Sequence, residues 1–171
     1  MYQDKLKDIT CFLLDVDGVL TNGNLLLMPN GDFVRSMNVK DGYAMQLAIK
    51  KGYKIGIISG GAAVGIVERL QKLGIQDIYT KVINKLEIFK EFIEIYNLSP
   101  DQILYMGDDL PDYEVMTKVA IATCPANAVA EIKSIAHYIS TYNGGDGCVR
   151  DAIEQVLKVQ EQWFDESIPL E

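Results

Sequence analysis

The sequence predicts an α/β protein with a Rossmann-like three-layer architecture, in which a parallel sheet lies between two layers of helices. Short, almost wholly apolar runs alternate with longer segments whose apolar residues recur at helical spacing. Strands that are apolar on both faces are typical of parallel sheets covered by helices on both sides. The length of 171 residues suits one domain, and we see no linker or internal repeat, so we expect a single domain over residues 1–171.

The predicted elements follow one another along the chain. We expect strands at residues 12–14, 54–59, 77–79, 103–106, 119–123 and 138–140. We expect helices at residues 42–51, 62–73, 126–135 and about 148–162, one more beginning after Asn84, and another with Pro111 in its first turn. Asp41 and Asn84 are the predicted N-caps of the helices that follow them.

One segment departs from the alternation of strands and helices. Two strand-like runs flank the turn Pro29-Asn30-Gly31-Asp32, which predicts a β-hairpin over about residues 24–37. We expect this hairpin to be a small flap beside the strand ends or an edge used in assembly. A second irregular segment is the glycine-rich loop that begins at about residue 143 and leads into the last helix.

Composition limits the partners that the chain can have. The net charge of −8 argues against nucleic acid or an anionic membrane surface as the main partner, although a bound metal could still attract a phosphorylated substrate. The three cysteines lie far apart in the sequence and fit neither a disulfide framework nor a zinc site, so we infer a reducing compartment. The sequence has no apolar run of membrane-spanning length, and we expect a cytoplasmic protein.

The first strand ends in a pair of acidic residues. An apolar run leads to Asp15-Val16-Asp17-Gly18, and ionised carboxylates are costly to bury unless something pairs with them. Asp15 at the strand end and Asp17 after it can face one crevice, where they would suit a hard cation such as Mg²⁺. The alternative is an ordinary polar turn, since Asp and Gly are common turn residues.

Two further strand ends carry groups that suit a phosphate. Ser59-Gly60-Gly61 ends the second buried strand just before a helix, where a hydroxyl and free backbone N–H groups could bind phosphate. Lys85 begins a helix, an electrostatically unfavourable place for a cation unless it has an anionic partner. Viewed singly, these residues could also be a capped tight turn and a surface lysine.

A late strand ends in three acids within five residues. Asp108 and Asp109 follow an apolar strand directly, and Asp112 comes one turn later. Three carboxylates so close together repel one another unless a cation lies among them. A solvated acidic loop is the alternative, and the apolar strand that leads into the acids disfavours it. Because ligands bind at the carboxyl ends of parallel strands, all these groups are expected at one edge.

Together, the four strand ends resemble the four motifs of the haloacid dehalogenase (HAD) superfamily of phosphatases. The resemblance implies a HAD-like fold with Asp15 as the nucleophile that forms an aspartyl-phosphate and Asp17 as the general acid–base. It also implies that Ser59 and Lys85 bind the phosphoryl group. By the same resemblance Mg²⁺ is the cofactor, held by Asp15, the backbone carbonyl of Asp17, and Asp108, with Asp109 and Asp112 supporting the site directly or through water.

Within the superfamily, the chain resembles the capless phosphatases of 3-deoxy-D-manno-octulosonate 8-phosphate (KDO 8-phosphate), a precursor of lipopolysaccharide. Those enzymes lack a cap domain and are homotetramers whose hairpins form a central barrel and whose active sites are closed by a neighbouring subunit. The resemblance therefore implies a sugar-acid phosphate substrate and a homotetramer. It also implies that substrate is bound by Gly60, by Arg69, and by the segment Asn38, Val39, Lys40, Asp41 and Gly42.

Two positions depart from that subfamily. Gly61 and Gln46 stand where arginines are usual, and Gly61 also differs from the glutamate of related phosphatases that act on nine-carbon sugar acids. Lys40 and Arg69 are then the candidate partners of the substrate carboxylate, although lysine and arginine are not equivalent in this role. A nine-carbon sugar acid 9-phosphate or another sugar phosphate remains an alternative substrate.

Two alternatives belong to other functional classes. A response-regulator receiver domain is also a parallel α/β protein that binds Mg²⁺ and forms an aspartyl-phosphate. The acid two residues after Asp15, the late acidic cluster and the hairpin do not fit a receiver. An inactive scaffold subunit is the other alternative, and the intact set of acidic, hydroxyl and lysine residues argues against it.

Overall fold

The computed structural model describes residues 2–61 and 64–163. These residues form eight strands: β1 (Cys11–Leu14), β2 (Leu26–Leu27), β3 (Phe33–Val34), β4 (Lys54–Ile58), β5 (Asp77–Tyr79), β6 (Ile103–Met106), β7 (Ile121–Cys124) and β8 (Tyr138–Ile139). Six of them form one sheet in the order β5-β4-β1-β6-β7-β8, and every neighbouring pair is parallel. The predicted parallel α/β fold is confirmed.

The helices connect these strands and cover both faces of the sheet. They are α1 (Tyr2–Lys5), α2 (Val39–Lys50), α3 (Val64–Lys72), α4 (Lys85–Ile95), α5 (Tyr113–Met116), α6 (Ala130–Ile135) and α7 (Cys148–Val159). Short 3-10 turns lie at Leu6–Asp8, Pro100–Gln102 and Leu110–Asp112. Among the described residues, no helix is long and apolar enough to cross a membrane.

Two apolar cores separate the three layers. Alternate β1 side chains enter opposite cores: Phe12 and Leu14 pack with α2 and α7, whereas Cys11 and Leu13 pack with α4, α5 and α6. Because side chains alternate across a strand, a strand buried on both faces needs apolar residues at every position, and all four β1 residues are buried. Burial of the central strands on both faces therefore explains the uninterrupted apolar runs in the sequence.

The hairpin forms where the sequence predicts it, with shorter strands. β2 and β3 pair antiparallel through Leu26 with Val34 and Leu27 with Phe33. Gly31 takes a φ of 88° in the connecting turn, a conformation that favours glycine. All four paired residues are exposed, so the described chain leaves both faces of this small sheet uncovered.

Several predicted helix boundaries are corrected by the structure. α2 begins at Val39 and its N-cap is Asn38, whose side chain accepts from the backbone of Lys40; the prediction of Asp41 as that cap was wrong, because Asp41 lies inside the helix. α6 begins four residues later than predicted, since the backbone of Val129 bonds to the carbonyl of Asp108. α7 ends at Val159, and the predicted start of α3 at residue 62 lies outside the described residues.

Candidate active site

The parallel register brings the predicted site residues to one edge of the sheet. Leu14, the last residue of β1, is level with Ile57 of β4 and Met106 of β6. The next residue, Asp15, donates its backbone N–H to the carbonyl of Met106 over 3.0 Å. The first residues beyond these strands therefore meet above β1, where the strand order reverses, which is the place where α/β sheets bind ligands.

These residues line one open cavity of about 420 Å³. Eight of the predicted site residues contribute to its wall: Asp15, Asp17, Ser59, Gly60, Lys85, Asp108, Asp109 and Asp112. They come from four separate stretches of the chain, so the structure assembles in space what the sequence spreads over almost a hundred residues. Because the residues of all four stretches share one cavity, they are not unrelated turns and surface residues.

Lys85 links two of the acids at the base of the cavity. Its Nζ lies 2.7 Å from Asp15 Oδ1 and 2.7 Å from Asp112 Oδ1, and all three side chains are almost wholly buried. Burial alone would lower the pKa of Lys85, but the charges of Asp15 and Asp112 raise it above its usual value. Lys85 is therefore a fixed cation at the first turn of α4, held there by carboxylates.

Asp112 organises the loop after β6. Its Oδ1 accepts hydrogen bonds from Lys85 and from the Tyr105 hydroxyl, each over 2.7 Å. Its Oδ2 accepts from the backbone N–H groups of Asp108 at 3.1 Å and Asp109 at 3.4 Å. A carboxylate has about four acceptor sites, so Asp112 has little left to offer a metal ion and instead orients the residues around it.

The acidic cluster carries its charge at a cost. Carboxylate oxygens of Asp15, Asp108 and Asp112 lie within 4.8 Å of one another. Burial, together with the charge of Asp112, raises the pKa of Asp15 to about 6. Burial and the charges of Asp15 and Asp112 raise the pKa of Asp108 to about 7. A divalent cation among these oxygens would offset the repulsion, and an all-oxygen donor set suits Mg²⁺.

Glycines give the loop after β1 its close contacts. Gly18 has a φ of 90°, and a Cβ atom there would overlap the Asp108 carboxylate. The predicted glycine-rich loop packs on the same turn: a Cβ atom on Gly144 would overlap the carbonyl of Gly18, and Gly145 donates its N–H to the carbonyl of Val19 over 2.9 Å. The glycine-rich loop thus supports the loop that presents Asp15 and Asp17.

Asp17 has a partner that the sequence did not reveal. Arg35, just beyond β3, donates from Nε to Asp17 Oδ1 over 2.6 Å and from Nη2 to Asp17 Oδ2 over 3.0 Å. Seventeen residues separate the pair, and no periodicity links them. Only the position of an arginine at the end of the predicted hairpin, near the strand ends, could have suggested the contact. The sequence also did not reveal the role of the Tyr105 hydroxyl, because Tyr105 lies within an apolar strand and is expected there as a core residue.

The other predicted substrate-binding residues do not line this cavity. A larger groove of about 770 Å³ runs between the hairpin and α3 and is lined by Arg35, Met37, Ile66 and Arg69, among others. Gly42 lies against Arg69, since a Cβ atom on it would be 3.0 Å from Arg69 Nη2. Asn38, Val39 and Lys40 form the accessible N-terminus of α2.

The structure places Asp41 apart from the rest of its segment. Its side chain is only 1% exposed, and its Oδ1 accepts the backbone N–H of Arg150 in the first turn of α7 over 2.7 Å. Burial raises the pKa of Asp41 to about 6. The carboxylate holds the start of α7 and does not line the cavity, so its substrate-binding role stays a prediction.

Comparison with known proteins agrees with this geometry. Residues 68–153 match the family model described as haloacid dehalogenase-like hydrolase. The 3-deoxy-D-manno-octulosonate 8-phosphate phosphatase KdsC of Escherichia coli K12 is 35% identical over 156 residues, which cover 91% of this chain and 83% of the enzyme.

Solved structures extend the comparison to the fold. The crystal structure of the Yersinia pestis phosphatase of the same substrate superposes with a TM-score of 0.92 at 30% identity, covering 95% of this chain and 88% of that one. The Moraxella catarrhalis phosphatase, crystallised with magnesium, phosphate and KDO, also gives a TM-score of 0.92 at 28% identity, covering 95% of this chain and 93% of that one. With the strand-end cavity, these similarities establish that the chain belongs to the haloacid dehalogenase-like hydrolase family.

Proposed function

We propose that the chain is a Mg²⁺-dependent phosphomonoester hydrolase that converts KDO 8-phosphate to KDO and phosphate in lipopolysaccharide precursor synthesis. The observation that carries the proposal is the joint placement of Asp15, Ser59, Lys85 and Asp108 around one cavity. An anionic nucleophile, a hydroxyl, a fixed cation and a further acid are the groups that transfer of a phosphoryl group to a carboxylate requires. The similarity to KdsC over most of the chain supports the substrate.

In the proposed first step, a carboxylate oxygen of Asp15 attacks phosphorus and the bond from phosphorus to the sugar oxygen breaks. Lys85 lies 2.7 Å from Asp15, where its charge keeps the nucleophile ionised and attracts the phosphoryl oxygens. Ser59 and the adjacent Gly60 at the end of β4 donate to the same oxygens. The departing sugar oxygen takes a proton from Asp17, a general-acid role.

In the second step, water hydrolyses the aspartyl-phosphate. Asp17 removes a proton from the attacking water, and the bond between phosphorus and the Asp15 oxygen breaks to release phosphate. Using one carboxyl as acid and then as base returns the enzyme to its starting state. The exposed fraction of the Asp17 side chain, 34% against 9% for Asp15, suits contact with a leaving group or a water molecule at the cavity mouth.

The residues present fit a divalent cation. Burial and the charge of Asp112 raise the pKa of Asp15, and burial with the charges of Asp15 and Asp112 raises the pKa of Asp108. The oxygens of Asp112 are already occupied by hydrogen bonds. Asp15, Asp108 and the backbone carbonyl of Asp17 are therefore the proposed ligands, with Asp109 and Asp112 as supporting residues. Bound Mg²⁺ would neutralise phosphoryl charge and polarise phosphorus towards attack.

We propose that the sugar acid extends from the cavity towards the groove beside α3. Arg69, the N-terminus of α2 at Asn38 and Val39, and the Lys40 side chain offer positive charge and N–H donors for its carboxylate. Gly42 leaves the space in which the Arg69 guanidinium lies. Without an arginine at position 61 or 46, these groups are the proposed determinants of preference for a carboxylated sugar.

Location and assembly complete the proposal. We infer a cytoplasmic enzyme, supported by three buried free cysteines. We also infer a homotetramer in which a neighbouring subunit closes each site, supported by the exposed apolar hairpin. Large apolar patches on a soluble domain are typical of interaction surfaces, and Leu26, Leu27 and Phe33 are each more than half exposed.

The substrate proposal is tested by measuring Mg²⁺-dependent phosphate release from a panel of phosphomonoesters. The panel contains KDO 8-phosphate, a nine-carbon sugar acid 9-phosphate, hexose phosphates and an aryl phosphate. We expect the highest kcat/KM for KDO 8-phosphate and loss of activity with a chelator. A flat profile, or a preference for another sugar, would contradict the substrate and leave the mechanism standing.

The mechanism is tested with Asp15→Asn. This substitution keeps the side-chain size and removes the nucleophile, so phosphate release should fall at least about a thousand-fold, as expected when a covalent route is lost. Circular dichroism should show an unchanged fold. Asp101→Asn is the matched control, because Asp101 is an exposed acid in the 3-10 turn Pro100–Gln102 and does not line the cavity. Activity of Asp15→Asn close to the wild type would refute the assignment.

A further inference from the structure

The contact between Arg35 and Asp17 has the geometry of a specific restraint. Two parallel N–H donors of the guanidinium meet the two oxygens of one carboxylate, over 2.6 Å and 3.0 Å. Such two-point pairs fix both the direction and the rotation of a carboxylate, which a single contact does not. The Arg35 side chain is 7% exposed, whereas that of Asp17 is 34% exposed. The arginine is buried behind the acid, and the acid faces the cavity.

Two neighbouring features accommodate this pair. A Cβ atom on Gly61 would lie 2.8 Å from Asp17 Oδ2 and 3.4 Å from Arg35 Nη2, so a side chain at position 61 would press on both partners. Arg35 Nη1 is buried and has no hydrogen-bond partner among the described residues. A buried donor without a partner is unfavourable, and the arginine nevertheless keeps this orientation, in which its other two nitrogens, Nε and Nη2, donate to Asp17.

We propose that Arg35 is a positioning residue for the hydrolase reaction: it orients the Asp17 carboxyl towards the leaving oxygen, and Gly61 leaves the space for this contact. The inference rests on the proposed function, since it gives Asp17 the acid–base role. Because Arg35 follows β3, it also ties the hairpin to the loop after β1. The hairpin thereby contributes a residue to the reaction of its own chain, separately from any role in assembly.

The dependence on the leaving group separates positioning from general structural support. An alkoxide leaving group such as that of KDO 8-phosphate needs a proton as it departs, whereas para-nitrophenolate departs readily without one. We measure kcat/KM, which reports the steps through formation of the aspartyl-phosphate. Removing the cation makes Asp17 easier to protonate, so a loss of activity in Arg35→Met would report lost orientation and not a changed charge. For Arg35→Met we expect a fall of about 10-fold to 100-fold with KDO 8-phosphate and of less than about 3-fold with para-nitrophenyl phosphate.

Two further variants sharpen the test. Arg35→Lys can make one of the two contacts and should give an intermediate loss with KDO 8-phosphate. Gly61→Ala should reproduce the selective loss, because its Cβ atom would press on Asp17 Oδ2 and on Arg35 Nη2 and so disturb the pair with both side chains present. Lys158→Met is the matched control, since Lys158 also makes a 2.6 Å contact with a carboxylate, that of Glu154, but is 60% exposed on α7. We expect it to retain wild-type rates with both compounds.

The outcomes distinguish the two proposals. An equal fall with both compounds in Arg35→Met would overturn the positioning role, because loss of the fold or of the phosphoryl pocket affects every substrate alike. An unchanged kcat/KM with KDO 8-phosphate would overturn it as well. Failure of the wild type to hydrolyse either compound in Mg²⁺ would instead contradict the proposed function, whatever the variants do.

Discussion

At the scale of single residues, folding makes the ionised forms of Asp15 and Asp108 less favourable than they are in water. Their pKa values rise from 3.8 to about 6 and about 7, mainly through burial, so the folded state binds these protons more tightly than the unfolded state. Their contribution to stability is therefore present below about pH 4 and is lost as the pH rises through these folded-state values. A bound cation would remove the reason for the loss.

This coupling predicts a pH dependence that is sensitive to the metal. Without divalent ions, the free energy of unfolding should fall as the pH rises from about 4 to about 7, and saturating Mg²⁺ should reduce the fall. The measurement is urea unfolding across this range with chelator and with Mg²⁺. Asp41, whose pKa is raised to about 6 by burial elsewhere, should contribute a part that Mg²⁺ does not change. An identical slope in both conditions would contradict a metal site at the cluster.

Asp108→Asn should separate stability from activity. The substitution removes one of the repelling charges, so at pH 8 without metal we expect unfolding to cost about 1–2 kcal/mol more, a figure discounted because Asp108 is partly exposed to solvent. Phosphate release should be lost, because a proposed ligand is gone. Urea unfolding and a phosphate assay measure the two effects. Asp101→Asn, at an exposed position before β6 and outside the cavity, should change neither. A less stable Asp108→Asn would show that repulsion among these carboxylates does not destabilise the fold.

At the scale of elements, the start of α7 depends on an acid from α2. Asp41 accepts the backbone N–H of Arg150 across the core, and the contact joins two helices that pack together against β1. Helix N-termini have unpaired N–H groups that such acceptors satisfy. Asp41 is thus part of the frame that holds the glycine-rich loop, which precedes α7, against the turn at Gly18.

Paired substitutions at Asp41 test this structural role. Asn keeps an acceptor for the α7 N-terminus and Ala does not, so Asp41→Ala should be less stable than Asp41→Asn by about 1–2 kcal/mol. The KM for KDO 8-phosphate should be close to the wild-type value in both variants, because the side chain is buried. Chemical denaturation and steady-state kinetics provide the two readouts. A raised KM with equal stabilities would instead support the predicted substrate-binding role of Asp41.

The elements themselves could be predicted well where burial dictates the sequence pattern. The buried positions of strands β1, β4 and β6 must be free of charged side chains, since both of their faces are covered, and the strand ends were predicted to within a residue or two. The helix starts were less predictable, because Asn38 and Asp41 are equally good caps by residue type. The choice between them depends on α7, which needs Asp41 as an acceptor and lies more than a hundred residues away.

At the scale of the whole molecule, some contacts of the site could be predicted from the sequence and others could not. The strand-end rule sufficed to place Asp15, Ser59 and Asp108 together, because parallel strands share one carboxyl edge. It could not reveal Arg35, whose position depends on how the hairpin folds back towards the sheet. Contacts that the sheet topology dictates can be inferred from strand ends alone, whereas contacts across independently folded segments require the structure.

The exposed hairpin leads to a prediction about assembly. Leu26 and Leu27 are 63% and 67% exposed, and burying them against other subunits would contribute to association through the hydrophobic effect. The double variant Leu26→Glu, Leu27→Glu should therefore convert a tetramer into smaller species in light scattering coupled to size exclusion. Its kcat/KM for KDO 8-phosphate should fall, since the proposed neighbouring subunit no longer closes the site. Ile95→Glu, at a 58% exposed position at the end of α4, is the matched control and should remain tetrameric. A monomeric wild type, or a tetrameric hairpin variant, would show that the hairpin does not mediate assembly.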